Sequence, residues 1–434
     1  MKVHLRTLGC RLNQSEIDSM ARQFTQQGHA VTDAAADADL FVINTCAVTQ
    51  EAVRSSRQLI HRLHRANADA QIAVTGCYAH LAPEATAAIP GVSHVIDNFD
   101  KPALVTHLTG HPLPAADLHD LEPMQRHALI GALGKTRAFI KVQDGCDRLC
   151  SFCVTRLARG QGRSRDLHEI VAEIQSLSAF GYREAVLTGV HLGSYGHDLG
   201  QTDGLYHLVQ AILTDTDIPR LRLSSLEPWG IPDGFFALWE NPRLGKHLHL
   251  PLQSGCDATL KRMIRRTSQA EFRQLVREVR ANVPTMAITT DVIVGFPGET
   301  EAEYATSRTF IEEMQFAGMH IFRYSPRPGT AAVRLPNHVS ETAMKTRSDD
   351  LHALAADHER RFAEWFNGTT AAVLWEAISG ATEAGYVNNG YTENFIRVRC
   401  TAPRILTDQI TEAHLLAWDA DAGVMDATLL PKEA

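Results

Sequence analysis

Three cysteines, Cys146, Cys150 and Cys153, stand close together in QDGCDRLCSFCVTR, directly after the apolar run AFIKV. Thiolates spaced this tightly wrap a single metal centre. A 4Fe-4S cluster has four irons, so a cysteine triplet leaves one iron without a protein ligand and open to a small molecule. Zinc would ask for a fourth Cys or His at matching spacing, and the nearest downstream candidate, His168, reads as part of a helix. A second triplet is less obvious: Cys10, Cys46 and Cys77 close the segments TLGC, INTC and VTGC. Each segment reads as the end of a parallel strand, and in an open α/β sheet those ends face one crevice. The three thiols are therefore expected to converge on a second cluster, the alternative being three separately buried cysteines. Cys256 and Cys400 have no partner at ligand spacing and read as small buried hydrophobes.

The strand-then-helix alternation around these cysteines predicts an α/β chain. In residues 1–110, VHLRTL, ADLFVINT, QIAVTG and VSHVIDN are strand candidates, with helical patterns at 14–27 and about 48–64. Residues 111–135, with scattered Pro, His and Gly, read as a linker. A second series fills 136–340: AFIKV, EAVLTGV, RLRLSS, HLHLPL, AITTDVIVGF and MHIFRYS, separated by helices near 168–180, 204–214, 257–281 and 301–316. Such a series suggests a partial or full α/β barrel with its site at the C-terminal strand ends. Residues 341–366 form a helical connector, and 367–434 alternate in the manner of a small all-β barrel.

Charge and composition narrow the setting. Lys and Arg number 42 against 50 Asp and Glu, a net of −8, which argues against sequence-blind binding of nucleic acid. Eight cysteines in 434 residues are too sparse for a secreted disulfide scaffold. The sequence has no apolar run of membrane-spanning length and no signal core in MKVHLRTLGCRLNQSE, so a cytoplasmic protein without membrane contact is expected.

CxxxCxxC with Phe152 before its last cysteine resembles the radical S-adenosylmethionine enzymes. The preceding three-cysteine domain and the β tail resemble those of the methylthiotransferases within that superfamily. TLGCRLNQSE, VINTCAVT, VTGCYA, LTGVHLGSYG, RLSSLEP, HLPLQSG, DVIVGFPGET and YSPRPGT resemble the branch acting on N6-threonylcarbamoyladenosine in tRNA. The resemblance implies two 4Fe-4S clusters and S-adenosylmethionine as radical source and methyl donor. On this resemblance the Cys146, Cys150 and Cys153 cluster would bind S-adenosylmethionine at its open iron and, once reduced by one electron, cleave it to methionine and a 5′-deoxyadenosyl radical, which would take hydrogen from carbon 2 of the adenine at tRNA position 37. The resemblance further implies that a sulfur held at the Cys10, Cys46 and Cys77 cluster, methylated by a second S-adenosylmethionine, would then be inserted. The partners implied are the tRNA anticodon loop, an electron donor and a sulfur donor.

The remaining candidates lie at strand ends. Gly189 leaves space for a ligand, Ser225 and Glu227 are placed to hydrogen-bond S-adenosylmethionine, and Gly295 and Phe296 resemble the backbone that lies against adenine. His249 and Gln253 are candidates to project into the barrel, and a satisfied core histidine competes for His249. For RNA, Arg156, Arg159, Arg163 and Arg165 follow the cluster motif without intervening acids up to Asp166, and Lys261, Arg262, Arg265 and Arg266 form a second basic group. Thr155 and Arg156 stand where the family more often has an apolar residue and proline, a change expected to alter loop shape and not chemistry. The tail resembles a TRAM domain, yet from Asn367 it holds nine acids against Arg397, Arg399, Arg404 and Lys432, which points to RNA contact through few residues, such as Tyr391, Asn394 and Arg397. Two other substrates compete within the enzyme class, N6-isopentenyladenosine in tRNA and an aspartate of a ribosomal protein. A nonenzymatic iron–sulfur RNA sensor is the alternative outside it.

Overall fold

A computed structural model describes residues 1–112 and 136–430. The expected linker therefore lies outside the described residues apart from its first two. The chain divides into two compact units: Met1–Phe180 with Thr188–His191 and Ser325–Val333, and Gly181–Leu187 with Leu192–Tyr324 and Arg334–Ala434.

The first unit begins with β1 (Lys2–Thr7), α1 (Arg11–Gln26), β2 (Ala30–Val31), β3 (Leu40–Thr45), α2 (Gln50–Ala66), β4 (Gln71–Gly76), α3 (Cys77–Leu81), α4 (Pro83–Ala87), β5 (Val92–Val95) and α5 (Leu104–Thr109). The strands form one parallel sheet in the order β2-β1-β3-β4-β5. Every residue of central β3 is buried, as a parallel strand covered on both faces requires. Its side chains divide by alternation: Leu40 and Val42 pack with Val3, Ile17, Met20 and Phe24, whereas Phe41 and Ile43 pack with Leu59, Ile60, Ile72 and Val74.

The same unit continues through β6 (Arg137–Lys141), β7 (Gln143–Asp144), α6 (Thr155–Arg159), β8 (Arg163–Ser164) and α7 (Leu167–Phe180). β7 and β8 pair antiparallel, Gln143 with Ser164 and Asp144 with Arg163, and clamp the two ends of the CxxxCxxC loop. α1 packs against β6, and the Lys141 amide donates to Ser15 Oγ at 3.0 Å. Residues 136–180 thus belong by packing with the N-terminal sheet.

The second unit holds β9 (Glu184–Thr188, its last residue assigned to the first unit), α8 (Gly204–Asp215), β10 (Arg220–Leu223), β11 (His247–His249), α9 (Asp257–Arg262), α10 (Gln269–Asn282), β12 (Ala287–Val294), α11 (Glu301–Met314), β13 (Gly318–Arg323) and α12 (Glu341–Glu364). β9 pairs with β10, single bridges Leu221–Leu244 and Ser225–His249 carry the sheet to β11, and β12 and β13 follow, all parallel. This is the arc of a partial (β/α) barrel. The helix expected over 257–281 is two helices, because Ile264 turns to φ +57 and Ser268 and Glu271 start α10 with a reciprocal capping box.

The tail closes into a five-stranded barrel of β14 (Thr370–Thr382), β15 (Gly385–Thr392), β16 (Arg397–Ala402), β17 (Ile410–Asp419) and β18 (Val424–Leu429), in the order β14-β15-β16-β18-β17. Val373, Trp375, Val398, Leu415 and Met425 fill it. β18, between β16 and β17, completes the closure that leaves no open edge. Among the described residues no helix is long and apolar enough to cross a membrane.

Candidate active site

The three scattered cysteines occupy equivalent places. Cys10 caps α1, Cys46 follows β3 and Cys77 begins α3, and β1, β3 and β4 are neighbours in register, Thr7 beside Asn44 and Thr45 beside Gly76. Two glycines allow the approach. A Cβ at Gly9, at φ +98, would lie 2.7 Å from Cys46 Sγ, and one at Gly76, at φ +99, would collide with the Thr45 backbone. Burial raises the Cys10 thiol, which Arg159 draws back down; burial pushes Cys46 up to about 11, with the Cys10 and Cys77 thiols adding to the rise. Ligation must therefore displace protons from Cys10 and Cys46. Buried Arg327 of the returning segment Ser325–Val333 is a charged neighbour of Cys46.

Below these loops lies a buried polar hub. Glu16 accepts from Lys101 Nζ at 2.7 Å, Arg159 Nη1 at 2.9 Å, Asn44 Nδ2 at 3.0 Å and Lys141 Nζ at 3.4 Å. Arg159 also donates to Asp144 at 3.0 Å and to Asn13 Oδ1 at 2.6 Å, and that same oxygen lies 3.8 Å from Cys10 Sγ. Burial alone would raise the Glu16 carboxyl, but Lys101, Arg159 and Lys141 outweigh it and hold it well below the ordinary carboxylate range. Arg159 thus corrects an expectation: its side chain is only 3% exposed and engaged by two carboxylates, so it braces the fold instead of meeting RNA. Sequence reasoning missed Asn13, Glu16 and Lys101. A signal existed, since Glu16 interrupts the i, i+4 row Leu12, Met20, Phe24 on the buried stripe of α1.

The second triplet sits in the same unit. Cys146 N–H donates to Gly160 O at 3.0 Å, and Cys146 Sγ accepts from the Arg148 amide at 3.4 Å. Cys153 Sγ lies 3.4 Å from the Thr155 amide and 3.2 Å from its hydroxyl. The Arg148 and Thr155 amides donate to sulfur, and the Thr155 hydroxyl, which accepts from the Cys153 thiol, can turn to donate to a thiolate, so the residues fit an iron–sulfur cluster. Thr155 thereby does more than reshape the loop. Both loops are tied to common pieces: His80 Nε2 meets Leu157 O at 3.1 Å, Asn98 donates to Ala158 O at 2.7 Å, Gln50 N–H reaches Ser325 Oγ at 3.3 Å, and the Ala332 amide donates to Ser151 O at 2.8 Å. Phe152 between the cysteines is half-buried.

The other expected residues divide. Gly189 leaves room for the Gln143 side chain, whose Oε1 would be 3.0 Å from an added Cβ, so its missing side chain already serves packing. In the second unit, Ser225 pairs in register with His249, and Glu227 is held by Arg265 at 2.6 Å. Gln253 adopts φ +73 between β11 and β12, a conformation that costs a non-glycine residue. Gly295, at φ +74, is demanded by Met344 packed against it, and the Phe296 ring is buried beside Tyr324, leaving only backbone to face a ligand.

Of the arginines, Arg156 is half-buried and donates to Asp147 O, Arg165 pairs with Glu173 at 2.8 Å, and Arg163 is exposed. Arg163 lies over the Phe99 ring at 5.2 Å, and Phe99 is itself 46% exposed and edge-on to His80. In the second basic group Arg262 pairs with Glu303 and Arg265 is buried over Trp229, so neither is offered to RNA, whereas Lys261 and Arg266 are exposed. In the tail, Asn394 is buried against Thr392 and is a turn brace, another correction; Tyr391 stacks on Phe395, and Arg397 is exposed.

The chain matches the model of the uncharacterized protein family UPF0004 over residues 2–97 and that of the radical SAM superfamily over 140–311. It is 34% identical over 421 residues to the threonylcarbamoyladenosine tRNA methylthiotransferase MtaB of Bacillus subtilis, covering 95% of this chain and 93% of that protein. The protein of the same name from Thermotoga maritima is 35% identical over 419 residues, covering 93% of this chain and 92% of its own. A tRNA-2-methylthio-N(6)-dimethylallyladenosine synthase of Anoxybacillus flavithermus is 29% identical, covering 99% of this chain and 84% of that protein. Among solved structures, the radical S-adenosylmethionine methyltransferase TsrM of Kitasatospora setae aligns over 74% of this chain and 72% of its own with TM-score 0.55 and 14% identity, a likeness of fold. The superfamily implies S-adenosylmethionine and a 4Fe-4S cluster. The chain belongs to the radical S-adenosylmethionine methylthiotransferases, in the branch named for threonylcarbamoyladenosine in tRNA.

Proposed function

We propose that this chain attaches a methylthio group to carbon 2 of N6-threonylcarbamoyladenosine in the anticodon loop of tRNA, using one cluster on Cys146, Cys150 and Cys153 and a second on Cys10, Cys46 and Cys77. One observation carries the reading: both triplets belong to one compact unit, and their loops share the Glu16–Arg159 hub and the segment Ser325–Val333. A cluster with S-adenosylmethionine supplies hydrogen-atom abstraction from an aromatic carbon, which side-chain acid–base chemistry does not reach.

The chain's own residues position and shield. Arg148 and Thr155 donate to the thiolates of Cys146 and Cys153. Ser225, Glu227, Gln253 and the backbone at Gly295 and Phe296 bind S-adenosylmethionine, with Arg265 fixing the Glu227 carboxylate. Phe99 with Arg163 above it offers a stacking face for an unpaired base, the usual protein target in RNA. The TRAM-like barrel adds Arg397 and Tyr391. An electron donor and a sulfur donor complete the system, in the cytoplasm where tRNA is found.

The test is mass spectrometry of digested tRNA from the source organism with and without the gene. Loss of 2-methylthio-N6-threonylcarbamoyladenosine with build-up of its precursor is expected. An unchanged profile would overturn the substrate, and loss of the isopentenyl derivative instead would reassign it. Cluster number is read separately: the reconstituted chain should hold roughly eight irons, and a Cys10→Ala, Cys46→Ala, Cys77→Ala variant about four.

A further inference from the structure

His249 on β11, Asp291 on β12 and His320 on β13 stand on three adjacent parallel strands. The register places His249 beside Thr289 and Asp291 beside His320, so the three side chains leave one face of the sheet. Asp291 Oδ1 is 3.3 Å from His249 Nε2 and 3.1 Å from His320 Nδ1, and the imidazole centroids are 5.5 Å apart. All three donor atoms lie within 4.8 Å of one another, the one such group of His, Cys, Asp or Glu among the described residues.

Two ring nitrogens facing one carboxylate oxygen are bridged either by an N–H donated from each imidazole or by a shared cation. The spacing suits the cation: ligands about 2.0–2.1 Å from an ion in tetrahedral array stand about 3.3–3.4 Å apart. The surroundings suit it too. His249 Nδ1 is 3.0 Å from Thr289 Oγ1, which turns Nε2 toward Asp291, and the Thr289 hydroxyl is in turn engaged by His247 Nε2 at 3.0 Å. A ligating imidazole fixed through its other nitrogen is the usual support of a metal site. His249 is buried while the His320 side chain is 67% exposed, so the site has a closed side and an open one. Two imidazoles and one carboxylate leave coordination positions for water or a substrate oxygen and favour a first-row divalent ion over calcium or magnesium.

We propose that His249, Asp291 and His320 form a mononuclear site for a divalent first-row transition ion, a site whose ligands include no cysteine. It adds a metal to the chain that neither cluster accounts for, and it stands independently of the tRNA reaction.

Mn²⁺ is the probe, because it prefers nitrogen and oxygen donors and leaves thiolates alone. The full chain, with its clusters loaded and oxidised so that they are silent in electron paramagnetic resonance, is titrated with Mn²⁺ without oxygen. One bound ion per chain, with nitrogen coupling from imidazole in the pulsed spectrum, is expected. His320→Ala and His249→Ala should each weaken binding at least about tenfold and remove part of that coupling, whereas Cys46→Ala should bind Mn²⁺ as the parent does. His320 is exposed, so its variant keeps the fold, verified by circular dichroism. Absence of bound Mn²⁺ at millimolar concentration, or undiminished binding and coupling in His320→Ala, would overturn the site.

Discussion

Glu16→Gln removes one charge from the hub while keeping its shape. Glu16 and Lys101 are each 4% exposed and Arg159 is 3% exposed, so none of the three is solvated to any useful degree. The substitution leaves Lys101, Lys141 and Arg159 with Asp144 as their sole anion in the hub. Asp144 reaches Arg159 and Lys141, whereas Lys101 keeps only neutral acceptors, Asn44 Oδ1 at 3.2 Å and the new amide oxygen. Removing one partner of a buried pair costs about 3–5 kcal/mol, which at about 1.4 kcal/mol per tenfold is a loss of protection by roughly 10² to several 10³. A chain of two units need not unfold in one step, so the assay is hydrogen–deuterium exchange of the α1 peptide read by mass spectrometry. Adding Lys101→Met to Glu16→Gln should restore at least about 1 kcal/mol by removing the stranded ammonium. The acid response fixes the sign: the folded state holds the Glu16 carboxyl well below its unfolded value near 4.3, so its contribution is full above that pH and is lost as pH falls through the folded value. The gap between parent and variant should close in acid. A change of less than about tenfold at neutral pH would refute the hub as a major stabiliser.

Four further outcomes follow from the same geometry. Cys150→Ala should reduce 5′-deoxyadenosine formation from S-adenosylmethionine to the protein-free background, whereas Cys46→Ala should keep that activity and lose the methylthio product; liquid chromatography of both products decides. Thr155→Val removes the hydroxyl 3.2 Å from Cys153 Sγ and keeps the amide, so redox titration followed by electron paramagnetic resonance should find a more negative cluster potential, with Thr155→Ser unchanged. Gly76→Ala forces a β-carbon into the Thr45 backbone at positive φ and should cost more than about 1–2 kcal/mol, seen as earlier urea unfolding; an unshifted curve would show that the loop yields. Phe99→Ala should weaken tRNA binding by about 1–3 kcal/mol at fixed salt if the ring stacks on a base, and equal affinity would remove Phe99 from the interface.

The sequence revealed elements wherever local pattern and tertiary demand agree. QIAVTG is β4 to the residue, because a short apolar run ending in glycine has few other solutions. The cysteines after TLG, INT and VTG were legible for the same reason: strand ends in a parallel sheet are ordered by topology. The break after α9 was not, since KRMIRR carries no glycine and the turn at Ile264 is fixed by Arg265 reaching inward to Glu227 and Pro251 O. Arg159 illustrates the same limit. In sequence it is one of four arginines in a short stretch, and only the fold shows that it faces Glu16 while Arg163 faces outward. The His249–Asp291–His320 row was half visible, because pairing across three strands depends on register that separations of tens of residues do not encode.

Ser325–Val333 enters the chain after all the parallel strands of the second unit, yet it belongs to the first and carries Arg327 to Cys46 and Ala332 to Ser151. A ribosome releasing the chain from its N-terminus delivers both cysteine loops long before the segment that braces them, and synthesis at about 5–20 residues per second makes that delay tens of seconds at the slow end. During it the contacts of long sequence separation that this segment makes still have to form. A fragment ending near Phe180 lacks Ser325–Val333 and with it the approach of Arg327 to Cys46 and the Ala332 hydrogen bond to Ser151.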